Sequence, residues 1–224
     1  MSIDRQGNGG MSSIAPILPL TLLRGVHALN KDFLHLVGQV PAFTAQRNFG
    51  LKPDLVQNLR ELPALSRLQV CESSFSLFTL RLADAWFWRT AADGAVEDVA
   101  SAEIKYADAG ARSVFIIDAL FFVWHLAHAA PLVGRLSFGM TDEVAGVLRV
   151  LSLQQIRRFA RSGEIPLAAR WPDNQCFWPD LIRFAQPDTA LELEATHLLG
   201  TQLLAAELAP APQQPTAGNR HPVR

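Results

Sequence analysis

A short motif that occurs twice is the feature that most constrains how this chain folds. Residues 49–60 (FGLKPDLVQNLR) recur 89 positions later as residues 138–149 (FGMTDEVAGVLR). Four of the 12 aligned positions are identical and three more hold similar side chains. Self-similarity at a fixed spacing is the sequence signature of repeated structural units. The chain is therefore predicted to contain two related units.

Apolar segments flank both copies of the motif in the same order. Residues 29–40 precede the first copy and residues 116–133 precede the second, and both segments are predicted to be helical. Residues 75–82 and 165–171 follow the copies. They are too short for helices and contain strand-favouring side chains, so each is predicted to hold a short strand.

The second copy carries clear signals for two consecutive helices. The first helix has an apolar face with helical spacing, and the second is predicted to begin after Ser152, because Ser152 and Gln155 have the spacing of a capping box. Gly163 stands where a helix C-cap belongs. The apolar face of the first helix consists of Met140, Val144, Val147, Leu148 and Leu151.

The ends of the two units differ in composition. Residues 190–208 form an apolar pattern typical of a long helix, whereas residues 91–111 are rich in Ala, Gly and Asp and indicate a shortened helix or a linker. The predicted organisation is a disordered tail, a divergent first unit, a linker, a clearer second unit and a disordered tail, at 1–14, 15–100, 101–111, 112–209 and 210–224.

Composition and charge limit the possible functions. Hydrophobic residues make up 49% of the chain and charged residues 18%, a balance that favours a folded globular protein. Twenty basic and 21 acidic residues give a net charge of −1, so contact with DNA requires a local basic patch. The 13-residue apolar run 114–126 contains Asp118 and His125, which predicts a core helix and no membrane span.

Cysteine usage and the start of the chain predict a cytoplasmic protein. Cys71 and Cys176 are 105 positions apart without CxxC spacing, which excludes a cysteine zinc site or a disulfide framework within the chain. The first 20 residues lack the charged and apolar regions of a signal peptide.

Arginines cluster in the second unit. Between residues 135 and 183 there are seven arginines and five acidic residues. Arginine side chains neutralise phosphates and recognise guanine, so this segment is the candidate DNA-binding patch; an ordinary solvated helix face is the alternative. The candidate DNA contacts are Arg149, Arg157, Arg158, Arg161 and Arg170.

Other conspicuous side chains have simpler interpretations. His125 and His128 share a helix face, but a zinc site needs more ligands, so no metal site is predicted. The aromatic clusters at 86–88 and 177–178 are interpreted as core or dimer contacts. The candidate dimer or partner interface comprises Phe121, Trp124, Leu198, Leu199 and Leu203.

Motifs of the common enzyme classes are absent from the sequence. It contains no GxGxxG, GxxxxGK[ST], GxSxG or HExxH pattern, and neither cysteine has a neighbouring histidine. We therefore expect a protein without catalytic activity, cofactor or metal.

Residues 138–163 resemble the centre of FlhD, the bacterial flagellar transcriptional activator subunit. The likeness continues through residues 164–171 and into residues 198–204. It covers about the whole second half of the chain, and the first half resembles the family more weakly. The chain is thus similar to two FlhD-like units in tandem.

The resemblance implies a fold, a partner and a function. The fold would be all-α with short strand pairings, and because the family forms an intertwined dimer, one chain would form the pair as an intramolecular pseudo-dimer. The implied function is transcription regulation as an activator subunit in flagellum biogenesis, with promoter DNA bound together with an FlhC-type partner. A cysteine that often links subunits in the family is matched here by Leu167.

Two other functions remain open. Residues 159–166, followed by 170–171 and 177–181, are similar to the winged end of MerR or excisionase-like domains, which bind DNA without a partner. A protein adaptor or chaperone that does not contact DNA is the third possibility, and homo-oligomerisation is compatible with each of them.

Overall fold

The chain is mainly helical, as the sequence predicts. The computed structural model describes residues 20–92, 109–162 and 165–209, and within them 11 helices and one two-stranded sheet. The N-terminal half (20–92) contains α1 (Leu20–Gln39), α2 (Ala42–Phe49), α3 (Pro53–Glu61), α4 (Ala64–Cys71), β1 (Phe78–Thr79) and α5 (Ala85–Ala92). The C-terminal half (109–209) contains α6 (Ala109–Ala129), α7 (Pro131–Phe138), α8 (Asp142–Val150), α9 (Leu153–Ser162), β2 (Ala168–Ala169), α10 (Phe177–Arg183) and α11 (Ala190–Leu208).

Elements follow one another in the same order in both halves. Each half begins with a helix of 20 or 21 residues and continues with three short helices, a two-residue strand and another short helix. Helix α11 follows these elements in the C-terminal half and has the predicted bounds, 190–208. It has no counterpart among the described residues of the N-terminal half.

The Phe-Gly pair that opens the repeated motif ends a helix in both halves. Phe49 and Phe138 are the last residues of α2 and α7, and both side chains are buried. Gly50 (φ 81°) and Gly139 (φ 64°) follow in the left-handed conformation and cap these helices through their backbone N–H groups. Glycine adopts this conformation without a steric penalty from Cβ, which explains its recurrence.

The predicted start of α9 is confirmed by its hydrogen bonds. The Gln155 backbone N–H donates to Ser152 Oγ at 3.3 Å, and the Ser152 backbone N–H donates to Gln155 Oε1 at 2.8 Å. This reciprocal pair is a capping box, which satisfies two N–H groups that a helix start leaves free. The preceding helix, α8, is capped by Thr141. Gly163, the predicted C-cap, lies outside the described residues.

The single helix predicted over residues 116–133 is wrong at its end. The helix α6 stops at Ala129, and Pro131 begins a new helix, α7. Proline has no N–H group for the helical ladder and disfavours helical geometry in the residue before it. Ala130 accordingly leaves the helix (φ −152°, ψ 62°).

The two strands are shorter than predicted and pair with each other. Strands β1 and β2 are antiparallel, with Phe78 opposite Ala169 and Thr79 opposite Ala168. The Arg170 N–H extends this contact by donating to the Leu77 carbonyl at 2.9 Å. This two-stranded sheet of β1 and β2, the central ribbon of the fold, therefore joins the two halves.

One continuous hydrophobic core is shared by both halves. Helix α5 packs against α8, α10 packs against α3, and α1 packs against α6, so each of these contacts crosses between halves. Trp88 and Trp178 are fully buried, and each indole N–H donates to a backbone carbonyl, that of Arg81 at 3.1 Å and that of Arg170 at 2.7 Å. The core role predicted for the aromatic clusters holds for these tryptophans, whereas Trp86 is 73% exposed.

Helix α6 is the one helix in the described chain that is long and apolar enough to cross a membrane. The stretch Gly110–Ala129 meets that test by length and composition. The helix packs against α1, α7, α8 and α9, and its Ile116, Leu120 and Val123 are fully buried. These side chains belong to the hydrophobic core, as the sequence predicts for this helix.

The predicted tails at 1–14 and 210–224 lie outside the described residues, and the predicted linker lies partly outside them. Of the predicted linker at 101–111, residues 109–111 belong to α6 and the rest are not described. The helix α5 was not predicted from the sequence, and its last two residues, 91 and 92, fall in the segment that was predicted to be a shortened helix or a linker.

Candidate nucleic-acid interface

Two adjacent arginines lie on the exposed face of α9. The amphipathic pattern of this helix buries Ile156, Phe159 and Ala160 against the core, which places Arg157 and Arg158 in solvent. Helix α9 packs mainly against α6. The two guanidinium groups are therefore accessible to a partner.

The Arg157 side chain is partly positioned by an aromatic ring. Its Cζ atom lies 5.8 Å from the centroid of the Phe121 ring on α6, within the range of a cation–π contact. Such a contact orients the guanidinium group without consuming its hydrogen-bond donors. Phe121, predicted as an interface residue, thus lies half-buried beneath the basic face.

Arg149 is exposed, but it also has a role within the fold. Its Nη1 donates to the Ala127 carbonyl at 3.4 Å. Arg60, at the matching position of the first motif, donates through Nε to the Gly38 carbonyl at 3.1 Å and through Nη2 to the Val40 carbonyl. The recurrence of arginine at the end of the motif is therefore explained by backbone contacts between neighbouring helices.

Arg170 is buried away from the exposed face of α9, which corrects its selection as a DNA contact. The residue is 2% exposed, and its guanidinium donates to Glu207 Oε2 at 2.6 Å and to the Phe138 carbonyl at 2.6 Å. Burial acts to lower the pKa of Arg170, and the Glu207 carboxylate acts to raise it. The strand β2 turns this side chain into the core, whereas the sequence pattern placed it next to the basic helix.

The remaining arginines of the predicted basic segment do not add a clear exposed charge to this surface. Arg161 is in α9, and its side chain is not among the described groups. Arg135 is paired with Asp142 at 3.4 Å on the exposed surface. The candidate interface that remains is therefore Arg157 and Arg158, with Arg149 at the preceding helix end.

The predicted partner interface separates into buried and exposed residues. Trp124 is half-buried, and its indole N–H donates to the carbonyl of Leu151 at 3.0 Å, so it joins α6 to the residue that caps the end of α8. Leu199 and Leu203 are half-buried, whereas Leu198 is 60% exposed. Leu191, two helical turns earlier on α11, is 80% exposed. The accessible apolar face of α11 thus includes Leu191 and Leu198.

The histidines do not cluster with other metal ligands. Among the described residues, no group of three or more His, Cys, Asp or Glu side chains could hold a metal ion. His128 Nδ1 lies 2.9 Å from the Trp124 carbonyl, and His125 is exposed on the same helix. His27 and His197, which sequence reasoning did not select, both have a pKa lowered by burial, an effect that Glu72 opposes.

The cysteines differ in accessibility. Cys71, the last residue of α4, is buried, and its Sγ donates to the Arg67 carbonyl at 3.1 Å. Burial raises the pKa of the Cys71 thiol to about 12, so it stays protonated at neutral pH. Cys176 is exposed, and Leu167 is buried in the core.

The winged arrangement expected for an excisionase-like domain does not form in the described residues. Such a wing needs the strand after α9 to pair with a neighbouring strand in the chain. Strand β2 instead pairs with β1, about 90 residues earlier.

No family model, curated protein or solved structure matches the chain.

Proposed function

We propose that this chain consists of two FlhD-like units folded as an intramolecular pseudo-dimer, and that it acts in the cytoplasm as a subunit of a transcriptional activator. It would join an FlhC-type partner at flagellar or related promoters. The observation that carries the DNA-binding part is the pair of adjacent, exposed arginines on α9, Arg157 and Arg158.

The packing between halves supports the pseudo-dimer. The short helices α5 and α10 each lie against the other half, on α8 and α3, and the single sheet takes one strand from each half. An intertwined pair of similar units would produce this exchange of elements. Covalent fusion of the pair removes the need to assemble it from two chains.

The charge distribution agrees with a subunit that contributes few DNA contacts. The net charge of −1 gives no general attraction to DNA. Two or three arginines would neutralise a few phosphates, and a partner would supply the remaining contacts. We therefore expect weak binding by the chain alone and specific binding by the complex.

Helix α11 is the proposed surface for the partner. Leu191 and Leu198 are exposed and seven residues apart, so they lie on one face of the helix. Exposed aliphatic side chains aligned in this way are suited to helix packing. The same feature would serve a protein adaptor that does not bind DNA, which is the second candidate function.

The test combines genomic DNA selection with matched charge-reversal variants. The chain is purified with and without a co-expressed FlhC-type subunit, bound genomic fragments are sequenced, and the preferred fragment is used in fluorescence anisotropy. We expect sequence-dependent binding only with the partner, and a large loss in R157E/R158E. The control R24E/R47E changes charge equally on exposed residues of α1 and α2 and should bind like the wild type.

The remaining results would overturn the proposal in different ways. Specific binding by the chain alone would indicate a self-sufficient DNA-binding protein. Partner binding without any DNA binding, abolished by L191D/L198D, would indicate the adaptor. Equal DNA binding by both charge-reversal variants would show that α9 is not the DNA contact.

A further inference from the structure

A charged cleft lies on one side of the central ribbon. It has a volume of about 530 Å³ and is bounded by the β1–α5 connection, the end of α7, the residue after β2 and the last turn of α11. Its polar side chains are Thr79, Arg81, Asp84, Arg170 and Glu207. Two arginines and two carboxylates therefore meet in one concave surface.

Arg170 contributes a buried cation to this cleft. Its side chain is 3% exposed, and its Nε atom has no hydrogen-bond partner within the described structure. Its other nitrogens contact Glu207, the Phe138 carbonyl and, at 3.4 Å, Ser76 Oγ. A guanidinium group recognises carboxylate and phosphate groups through paired donors.

The matching position in the other half holds an apolar side chain instead of an arginine. Leu80 stands 90 positions before Arg170, at the matching position after β1, and it is fully buried. A buried cation carries a desolvation cost that leucine does not. A charged group retained at such a cost is a candidate for a binding role.

Glu207 occupies the place that an acidic ligand would take. Its carboxylate accepts from Arg170 Nη1 at 2.6 Å and from Trp171 Nε1 at 2.5 Å. It comes from the last turn of α11, and its side chain is 35% exposed, so solvent reaches this pair. Arg81, paired with Asp84 and 47% exposed, offers a second guanidinium group in the cleft.

We propose that this cleft binds a small anion bearing carboxylate or phosphate groups, which replaces Glu207 at Arg170 and contacts Arg81. The inference is independent of DNA binding and of the partner subunit. It would make the chain responsive to a metabolite through the end of α11.

The test is isothermal titration of the full chain with citrate and, separately, with inorganic phosphate, at constant ionic strength. We expect saturable binding of at least one anion. E207Q should bind about tenfold more tightly, because it removes the competing charge, and R170L and R81A should bind weakly or not at all. R89A, which removes an exposed arginine paired with Glu143 outside the cleft, should bind like the wild type.

The choice of variants separates binding from folding. R170L introduces the side chain that the other half uses, and R81A changes an exposed group, so loss of binding in both, with unchanged circular dichroism, supports the site. Binding of citrate alone would identify a carboxylate site, and binding of phosphate alone a phosphate site. Absence of saturable binding in both the wild type and E207Q, or equal binding by R170L, would overturn the proposal.

Discussion

The two halves agree in their interiors and differ on their surfaces. Matching buried positions hold the same side chain in both halves: tryptophan at 88 and 178, and phenylalanine at 49 and 138. The third short helix of each half, however, exposes different chemistry: α4 presents Leu65 and Leu68, which are 72% and 45% exposed, whereas α9 presents its two arginines. What both halves keep is required for packing, and what only one half has is where a function is to be sought.

At one pair of matching interior positions, the two halves differ in charge. Leu80 and Arg170 take matching places beside the central ribbon, and both are buried. The arginine is tied to α11 through Glu207, and this helix has no counterpart in the described residues of the N-terminal half. The buried charge of Arg170 therefore goes together with the presence of α11. The experiments that follow test how far the two halves are equivalent.

Replacing either buried tryptophan is expected to lower the free energy of unfolding more than any other change considered. Trp88→Ala and Trp178→Ala should each destabilise the protein by about 3–5 kcal/mol, because each leaves a cavity in the shared core. Urea denaturation followed by circular dichroism measures both. A cost that differs by more than about 2 kcal/mol between the two variants would contradict their equivalence, since context alone shifts such values within that range.

The next effect concerns the buried ion pair. Glu207→Ala should cost up to about 3 kcal/mol, because it leaves Arg170 buried without its carboxylate, whereas Arg170→Leu should cost less, since leucine suits the apolar surroundings. Thermal and urea unfolding of both variants show which of them loses more stability. If Arg170→Leu were the more destabilising variant, the arginine would be required by the fold and the comparison with Leu80 would fail.

Smaller losses of stability are expected at the starts of α5 and α10, where a side chain accepts a hydrogen bond from the backbone of the helix. The Phe87 N–H donates to Asp84 Oδ1 and the Phe177 N–H donates to Asn174 Oδ1, both at 2.9 Å. Asp84→Ala and Asn174→Ala should each cost about 1 kcal/mol at pH 7. Only the aspartate titrates, so only its contribution should depend on pH.

The direction of that pH dependence follows from the pKa of Asp84. The hydrogen bond from the Phe87 backbone lowers this pKa, and Arg81 adds to the effect, while burial opposes it. The stabilisation is therefore complete above about pH 4, the usual carboxyl value, and is lost as the pH falls through the lowered value of the folded state. Stability curves of Asp84→Asn and wild type that stay parallel down to pH 2 would contradict this assignment.

The smallest effect on stability is expected where the surfaces differ. Arg157→Leu combined with Arg158→Gln gives α9 the side chains found 89 positions earlier, Leu68 and Gln69. Because both arginines are exposed, the free energy of unfolding should change by less than about 0.5 kcal/mol. A large destabilisation would mean that the arginines serve the fold.

Local signals predicted much of the fold. The Ser152–Gln155 capping box located the start of α9, and the spacing of apolar residues gave the bounds of α11, because both depend on neighbours along the helix. The Phe-Gly pair was visible as a repeat, and its geometric reason emerged only with the left-handed conformation of Gly50 and Gly139. The missed break before Pro131 was also a local signal.

The candidate site was less predictable, because burial depends on contacts between distant segments. Arg170 follows a two-residue strand, and only the pairing of β2 with β1 and the arrival of Glu207 from α11 place it inside the protein. Arg157 and Arg158 were predicted correctly as surface residues by the period of α9. No comparable local pattern marks the cleft, because its polar residues come from three separate segments of the chain.

The most direct test of the account is the salt dependence of DNA binding by the complex with its FlhC-type partner. The wild type and R157L/R158Q are compared on the preferred genomic fragment by fluorescence anisotropy over a range of salt concentrations. The account predicts weaker binding by the variant and a salt slope that is smaller by about 2, one phosphate contact for each arginine. An unchanged affinity and slope would contradict the assignment of α9 as the surface that distinguishes the C-terminal half.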